Sequence, residues 1–261
     1  ATGRNDIIAF TKGFHGMTLG SLACTANEYF RGAAGIPLLH VGHQPFGCEK
    51  PCLGCEMGCG IANLDALRAQ YSDASSGIKP PAAFLVETIQ AEGGVNVASK
   101  EWLKALASLA KDTGSLLIVD DIQVGMGRTG SFFSFDDIGI DPDIICLAKG
   151  LGGLGTPIAM NLVKPEIDKL WSPGEHTGTF RGQSLSFVAG KQALSYFEND
   201  EFMTEVKVKA EIMKKALASL ENVKGIQIRG KGMVIGLDVN DGAVARTIID
   251  ECFSKGLLIA T

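Results

Sequence analysis

Lys149 closes an apolar run that begins at Asp143, and Asp120, 29 positions earlier, closes another that begins at Ser115. An amine can condense with an aldehyde, and a carboxylate can keep a heteroaromatic ring nitrogen protonated. Gln123, just beyond Asp120, carries an amide that can donate to a phenolic oxygen without adding charge. Taken alone, a lysine after a strand is usually a solvated surface residue. The combination of amine, carboxylate and amide at the ends of neighbouring strands is what points to chemistry on an aldehyde-bearing ring.

That combination is the minimal equipment for holding pyridoxal phosphate, whose cationic ring acts as an electron sink. Other polar motifs fall at strand ends, where open α/β sheets place their ligand crevices. Glu87-Thr88-Ile89-Gln90-Ala91-Glu92-Gly93-Gly94 supplies two carboxylates on a turn, although acids after a strand also serve as caps or solvated loop charges. Asp120 and Asp121 are harder to explain by packing, because uncompensated charge at the end of a buried strand is costly. Strand alternation sends the two to opposite faces and leaves open which one reaches the ring. The turn from Gly174 through Gly178 and Thr179 to Phe180 is suited to phosphate oxygens, and equally to an ordinary surface loop. Phe14 offers an aromatic face for stacking, with His15 beside it as a hydrogen-bonding residue.

Short apolar runs alternating with helical patterns must position these groups, which is the appearance of βαβ units and a mainly parallel sheet covered on both faces. Residues 6–10, 82–87, 115–120, 144–148 and 157–163 read as strands. Ser99 is a candidate N-cap, and Trp102, Leu106 and Leu109 line one face of a crossover helix that ends near Gly114. After Gly182 the pattern turns to long helices, with Ile212, Ala216 and Leu220 expected to face the core and Met213 and Leu217 beside them. Residues 225–238 read as a turn with short strands and 243–253 as a further helix. A domain change is expected near 198–202, giving a large domain over 1–198 and part of a smaller α+β domain over 199–261.

The 261 residues are 46% hydrophobic and 20% charged, with a net charge of −5 and no long basic block, so nucleic acid and anionic membrane surfaces are not the expected partners. Apolar runs fall far short of the ~20 residues that span a bilayer, and no charged-then-apolar signal opens the chain; a cytoplasmic protein acting on small molecules is expected. Glycine, at 33 residues, suits the tight turns of a cofactor crevice. The chain begins at Ala1 and stops at Thr261 after an apolar run, so a piece of a longer protein is expected. Cys48, Cys52, Cys55 and Cys59, with His40 and His43 upstream, could bind zinc or an iron–sulfur cluster. Their spacing differs from paired C-x2-C knuckles, and reduced thiols without metal are the expectation. Cys24, Cys146 and Cys252 read as small core residues.

Taken together, Glu87-x-x-Gln90-x-Glu92-Gly93-Gly94, Asp120-Asp121-Ile122-Gln123-Val124-Gly125 and Lys149 resemble the class III aminotransferases, pyridoxal-phosphate enzymes of fold type I. The likeness extends along nearly the whole chain. It implies that Lys149 is the Schiff-base lysine, Asp120 the partner of the pyridinium nitrogen and Gln123 the donor to the phenolic oxygen. It further implies that Phe14 stacks on the ring within the Phe14–His15 stretch. Thr179, with Gly178, would reach the phosphate in a neighbouring subunit of a homodimer. Glu92 would be a gating carboxylate near the substrate, with Glu87 a supporting acid.

Within the class, Ser75-Ser76-Gly77, Val95-Asn96-Val97-Ala98-Ser99 and the 174–182 turn are most similar to the diaminobutyrate–2-oxoglutarate transaminases of the ectoine-pathway type. The Cys48–Cys59 stretch and the Gly-rich turn after Lys149 depart from that pattern. Ornithine, acetylornithine or 4-aminobutyrate as donor, a related aminomutase, and a metal-binding module without enzymatic activity stand as alternatives. The resemblance also implies an upstream phosphate-binding turn and a downstream arginine for 2-oxoglutarate, neither of which lies within residues 1–261. The 261-residue chain alone is therefore expected to hold the cofactor weakly.

Overall fold

In a computed structural model, which describes residues 1–49, 60–153 and 155–260, six strands form the central sheet. They are β1 (Ile7–Phe10), β2 (Val41–Gln44), β3 (Ala83–Val86), β6 (Leu116–Asp120), β7 (Ile144–Leu147) and β8 (Met160–Val163), ordered β2-β1-β3-β6-β7-β8. Every neighbouring pair is parallel except β7 with β8, so β3, β6 and β7 deliver their C-terminal ends to one edge. Two small antiparallel pairs complete the strands: β4 (Ile89–Gln90) with β5 (Asn96–Val97), and β9 (Gln227–Lys231) with β10 (Val234–Asp238). The helices are α1 (Leu19–Cys24), α2 (Glu28–Gly32), α3 (Ile61–Ser72), α4 (Lys100–Thr113), α5 (Pro165–Asp168), α6 (Ser184–Ser195), α7 (Glu201–Leu217) and α8 (Gly242–Ser254). This is the mainly parallel, helix-flanked sheet of fold type I.

The crossover helix α4 shows how local sequence sets an element. Ser99 caps it by accepting a hydrogen bond from the Trp102 amide at 3.1 Å, and Gly114 closes it in the left-handed region at φ +61°. Trp102, Leu103, Leu106 and Leu109 are then driven into the sheet, where Trp102 meets Phe10 edge-on at 4.9 Å between ring centroids. Gly47 makes this packing possible, since a Cβ there would sit 2.1 Å from Trp102 Cγ. The five strands expected from the sequence are present. The strand β2 was not expected, because a short edge strand containing Gly42, His43 and Gln44 carries little apolar pattern.

Two expectations need correction. Ile212 and Ala216 on α7 are exposed, whereas Met213 and Leu217, and Leu220 just beyond the helix, are partly buried, and Val206 is the one fully buried residue of α7. The helix has adjacent apolar stripes, and its rotation follows the packing of Phe202 and Met203 against Gly127. Of the three cysteines read as core residues, only Cys24 is fully buried, whereas Cys146 and Cys252 are half-buried. Cys48 is half-buried against the main core, while Cys52, Cys55 and Cys59 lie outside the described residues. Among the described residues no group of three or more His, Cys, Asp or Glu could hold a metal ion, and no helix is long and apolar enough to cross a membrane.

Candidate active site

The edge at the C-terminal ends of β3, β6 and β7 gathers most of the polar residues singled out above. Asp120 is the last residue of β6, opposite Cys146 on β7, and Lys149 follows β7. Parallel pairing makes both strands leave the sheet in the same direction, which brings distant residues to one rim. Lys149 is exposed and opens a short 3-10 turn at φ +47°, a left-handed conformation that costs a lysine about 1–2 kcal/mol. A groove of about 490 Å3 opens beside it, lined by Gly155, Thr156, Pro157, Ile158 and Ala159. A separate cleft of about 350 Å3 between α7 and the β9–β10 pair contains none of the residues singled out for chemistry.

Asp120 is held from two sides. His15 Nδ1 donates to its Oδ2 at 2.8 Å, and the Ile122 amide donates to Oδ1 at 3.2 Å. His15 is itself fixed, its backbone N–H donating to the buried Thr25 hydroxyl at 2.9 Å. Each Asp120 oxygen keeps a further lone pair for an incoming N–H donor. Asp121 turns the other way and is fully buried. It accepts hydrogen bonds from the Ser134 hydroxyl and from the Ser134 amide at 3.1 Å. Burial pushes its carboxyl up to about 6, against the lowering effect of those bonds. The adjacent acids therefore divide, one at the rim and one beneath it.

Glu87 lies deeper than a solvated turn acid. Only 7% exposed, it accepts the Phe14 amide at 3.0 Å, and burial raises its carboxyl well above the usual range. The Phe14 hydrogen bond and the Lys149 charge pull the other way, while Asp120 and Glu92 add to the upward shift. Those opposing effects mark Asp120, Glu92 and Lys149 as its electrostatic neighbours. A neutral Glu87 still accepts through its carbonyl oxygen and so anchors the Phe14 backbone. Phe14 is half-buried with its ring edge-on to Phe30 at 5.7 Å. Gln123 Nε2 donates to Glu92 Oε1 at 3.2 Å, joining the loop after β6 to the turn after β4.

Thr179 and Gly178 stand apart, in a stretch from 171 to 185 that is exposed throughout. Within the described chain they make no polar contact with the Asp120–Glu87–Gln123 group. Sequence reasoning did not foresee the contact between His15 and Asp120 or the one between Ser134 and Asp121. Only the improbability of paired acids at a strand end signalled that Asp121 needed a partner.

The Aminotransferase class-III family matches residues 1–261. The chain is 44% identical over 264 residues to a diaminobutyrate–2-oxoglutarate transaminase of Halalkalibacterium halodurans, covering 100% of this chain and 60% of that protein. It is 46% identical over 260 residues to the enzyme of the same name from Wolinella succinogenes, covering 98% of this chain and 59% of that one. A Bacillus anthracis aminotransferase of known structure superposes with a TM-score of 0.82 at 25% identity, over 98% of this chain and 61% of its own. The chain thus spans about 60% of the length of the relatives it matches. With family and fold agreeing along its whole length, the chain belongs to the aminotransferase class-III family.

Proposed function

We propose that the protein transfers the terminal amine of 2,4-diaminobutanoate to 2-oxoglutarate, giving aspartate 4-semialdehyde and glutamate, with pyridoxal phosphate as cofactor. The donor set fits that cofactor: a rim amine at Lys149, a doubly anchored carboxylate at Asp120, an amide at Gln123 and an aromatic ring at Phe14. The observation that carries the reading is the joint exit of Asp120 and Lys149 from the adjacent parallel strands β6 and β7. When bound, the cofactor supplies an aldehyde that takes up the amine and a cationic ring that withdraws electrons.

The chain's own residues supply the rest. Asp120 holds a ring N–H, with its charge oriented by His15. Lys149 Nζ, once free, accepts the proton from the amine-bearing carbon of the substrate. Gln123 donates toward the phenolic oxygen, and Glu92 faces the substrate as the gating carboxylate. Glu87 supports Phe14 from behind rather than touching substrate. Residues 1–198 would form most of the cofactor-binding domain and 199–261 part of a smaller one.

A homodimer acting in the cytoplasm, with Thr179 and Gly178 reaching a partner's phosphate, belongs to the same reading. It is supported by Leu170, Trp171, Phe180, Leu185 and Val188, which are 53–93% exposed in one stretch, the type of surface that a second copy covers.

The test uses the full-length protein incubated with pyridoxal phosphate. Borohydride should fix the cofactor to Lys149, and Lys149→Ala should abolish amine transfer. Among diaminobutanoate, ornithine and 4-aminobutyrate, the first should be the preferred donor. An unmodified Lys149, or near-normal turnover by Lys149→Ala, refutes the assignment, and preference for another donor refutes the substrate.

A further inference from the structure

The β9–β10 hairpin is far in sequence from the residues described above, yet it grips both loops that meet over the site. On one side it holds the turn that carries Glu92. A Cβ on Gly236 would lie 2.7 Å from Val95 Cβ, and one on Gly94 would lie 3.5 Å from Arg229 Nη2. Arg229, with a side chain only 10% exposed, is fixed in turn by a 2.9 Å ion pair with Asp238. The turn itself is stiff: Val95 is left-handed at φ +54°, and Asn96 Nδ2 donates to the Gly93 carbonyl at 2.8 Å.

On the other side the hairpin holds the segment that follows Gln123. The Met233 amide donates to the Arg128 carbonyl at 2.8 Å, and a Cβ on Gly232 would lie 2.6 Å from that oxygen. Lys231 Nζ donates to the Ser134 carbonyl at 3.3 Å and pairs with Asp137 at 2.6 Å. The hydrogen bond from Gln123 to Glu92 then closes a ring of contacts running from the hairpin through both loops.

We infer that the hairpin is a brace that sets the position of the Glu92 carboxylate, with Arg229 and Gly236 as positioning residues for substrate selection. This rests on the proposed reaction, in which the enzyme handles two substrates of opposite character. An anionic carboxylate at the mouth attracts the ammonium of a diamine and opposes the distal carboxylate of 2-oxoglutarate. Moving it changes the two KM values in opposite directions. General loosening of the fold has no reason to produce that split.

The full-length holoenzyme with Gly236→Ala, Arg229→Met or Arg229→Lys provides the test. Val95 must move to accept the alanine. The methionine removes the pair with Asp238, whereas the lysine keeps the charge and should restore part of the wild-type behaviour. The KM ratio of diamine to 2-oxoglutarate should change about tenfold in Gly236→Ala and Arg229→Met, with the two KM values moving oppositely. Amide exchange over residues 92–97 should accelerate, and borohydride labelling of Lys149 should persist. If Gly236→Ala does not fold, the two Arg229 variants carry the test. Wild-type KM ratios and wild-type exchange in the folded variants overturn the brace, whereas failure to label Lys149 in the unsubstituted enzyme overturns the underlying reading.

Discussion

At the residue scale, Asp121 departs from the ordinary chemistry of an aspartate. Its carboxyl is raised to about 6 by burial, so the folded state binds this proton more tightly than the unfolded chain. The stabilisation is complete below the unfolded value of 3.8 and is lost as pH rises through about 6. Asp121→Asn, which cannot ionise, should therefore gain stability relative to the wild type between these limits, by at most about 3 kcal/mol. Urea unfolding at pH 4 and pH 7 measures the gain, and a pH-independent difference would contradict it. The shift in Glu87 has the same sign, so both acids make the fold less stable toward alkaline pH. Neither effect was legible in the residue types, because the alternation that separates Asp120 from Asp121 does not say which of them enters the low-dielectric side.

At the scale of elements, α4 was the most readable part of the chain, since its cap, its apolar face and its terminal glycine agree with one another. Its fit to the segment after β2 was not readable. Gly47→Ala places a methyl group inside the Trp102 ring contact and should cost about 1–3 kcal/mol through overpacking. A denaturation midpoint equal to that of wild type would show that the contact relaxes freely. The α7 stripe taught the complementary lesson. Ile212, Ala216 and Leu220 have helical spacing, but so do Met213 and Leu217, and packing of the first turns against Gly127 chose the rotation.

For the whole molecule, the exposed apolar residues from 170 to 188 set the quaternary expectation. If the proposed homodimer forms through this face, Leu185→Asp with Val188→Asp should shift full-length protein from dimer to monomer in light scattering, with much of the amine transfer lost because Thr179 would no longer reach a partner. A monomeric wild type, or a double variant that stays dimeric, would remove that assignment. Five of the six strands of the central sheet, their mainly parallel class and the family likeness were legible in the sequence alone, because each rests on residue type and local spacing, and the same spacing singled out Lys149, Asp120 and Gln123 as candidates. Only the tertiary structure decided that His15 orients Asp120, that Asp121 is buried beneath the rim, that Glu87 supports Phe14, and that the β9–β10 hairpin reaches the Glu92 turn. Those contacts join residues as far apart as 15 and 120 or 95 and 236, and no periodicity within a strand or helix encodes which loops a three-dimensional fold will press together.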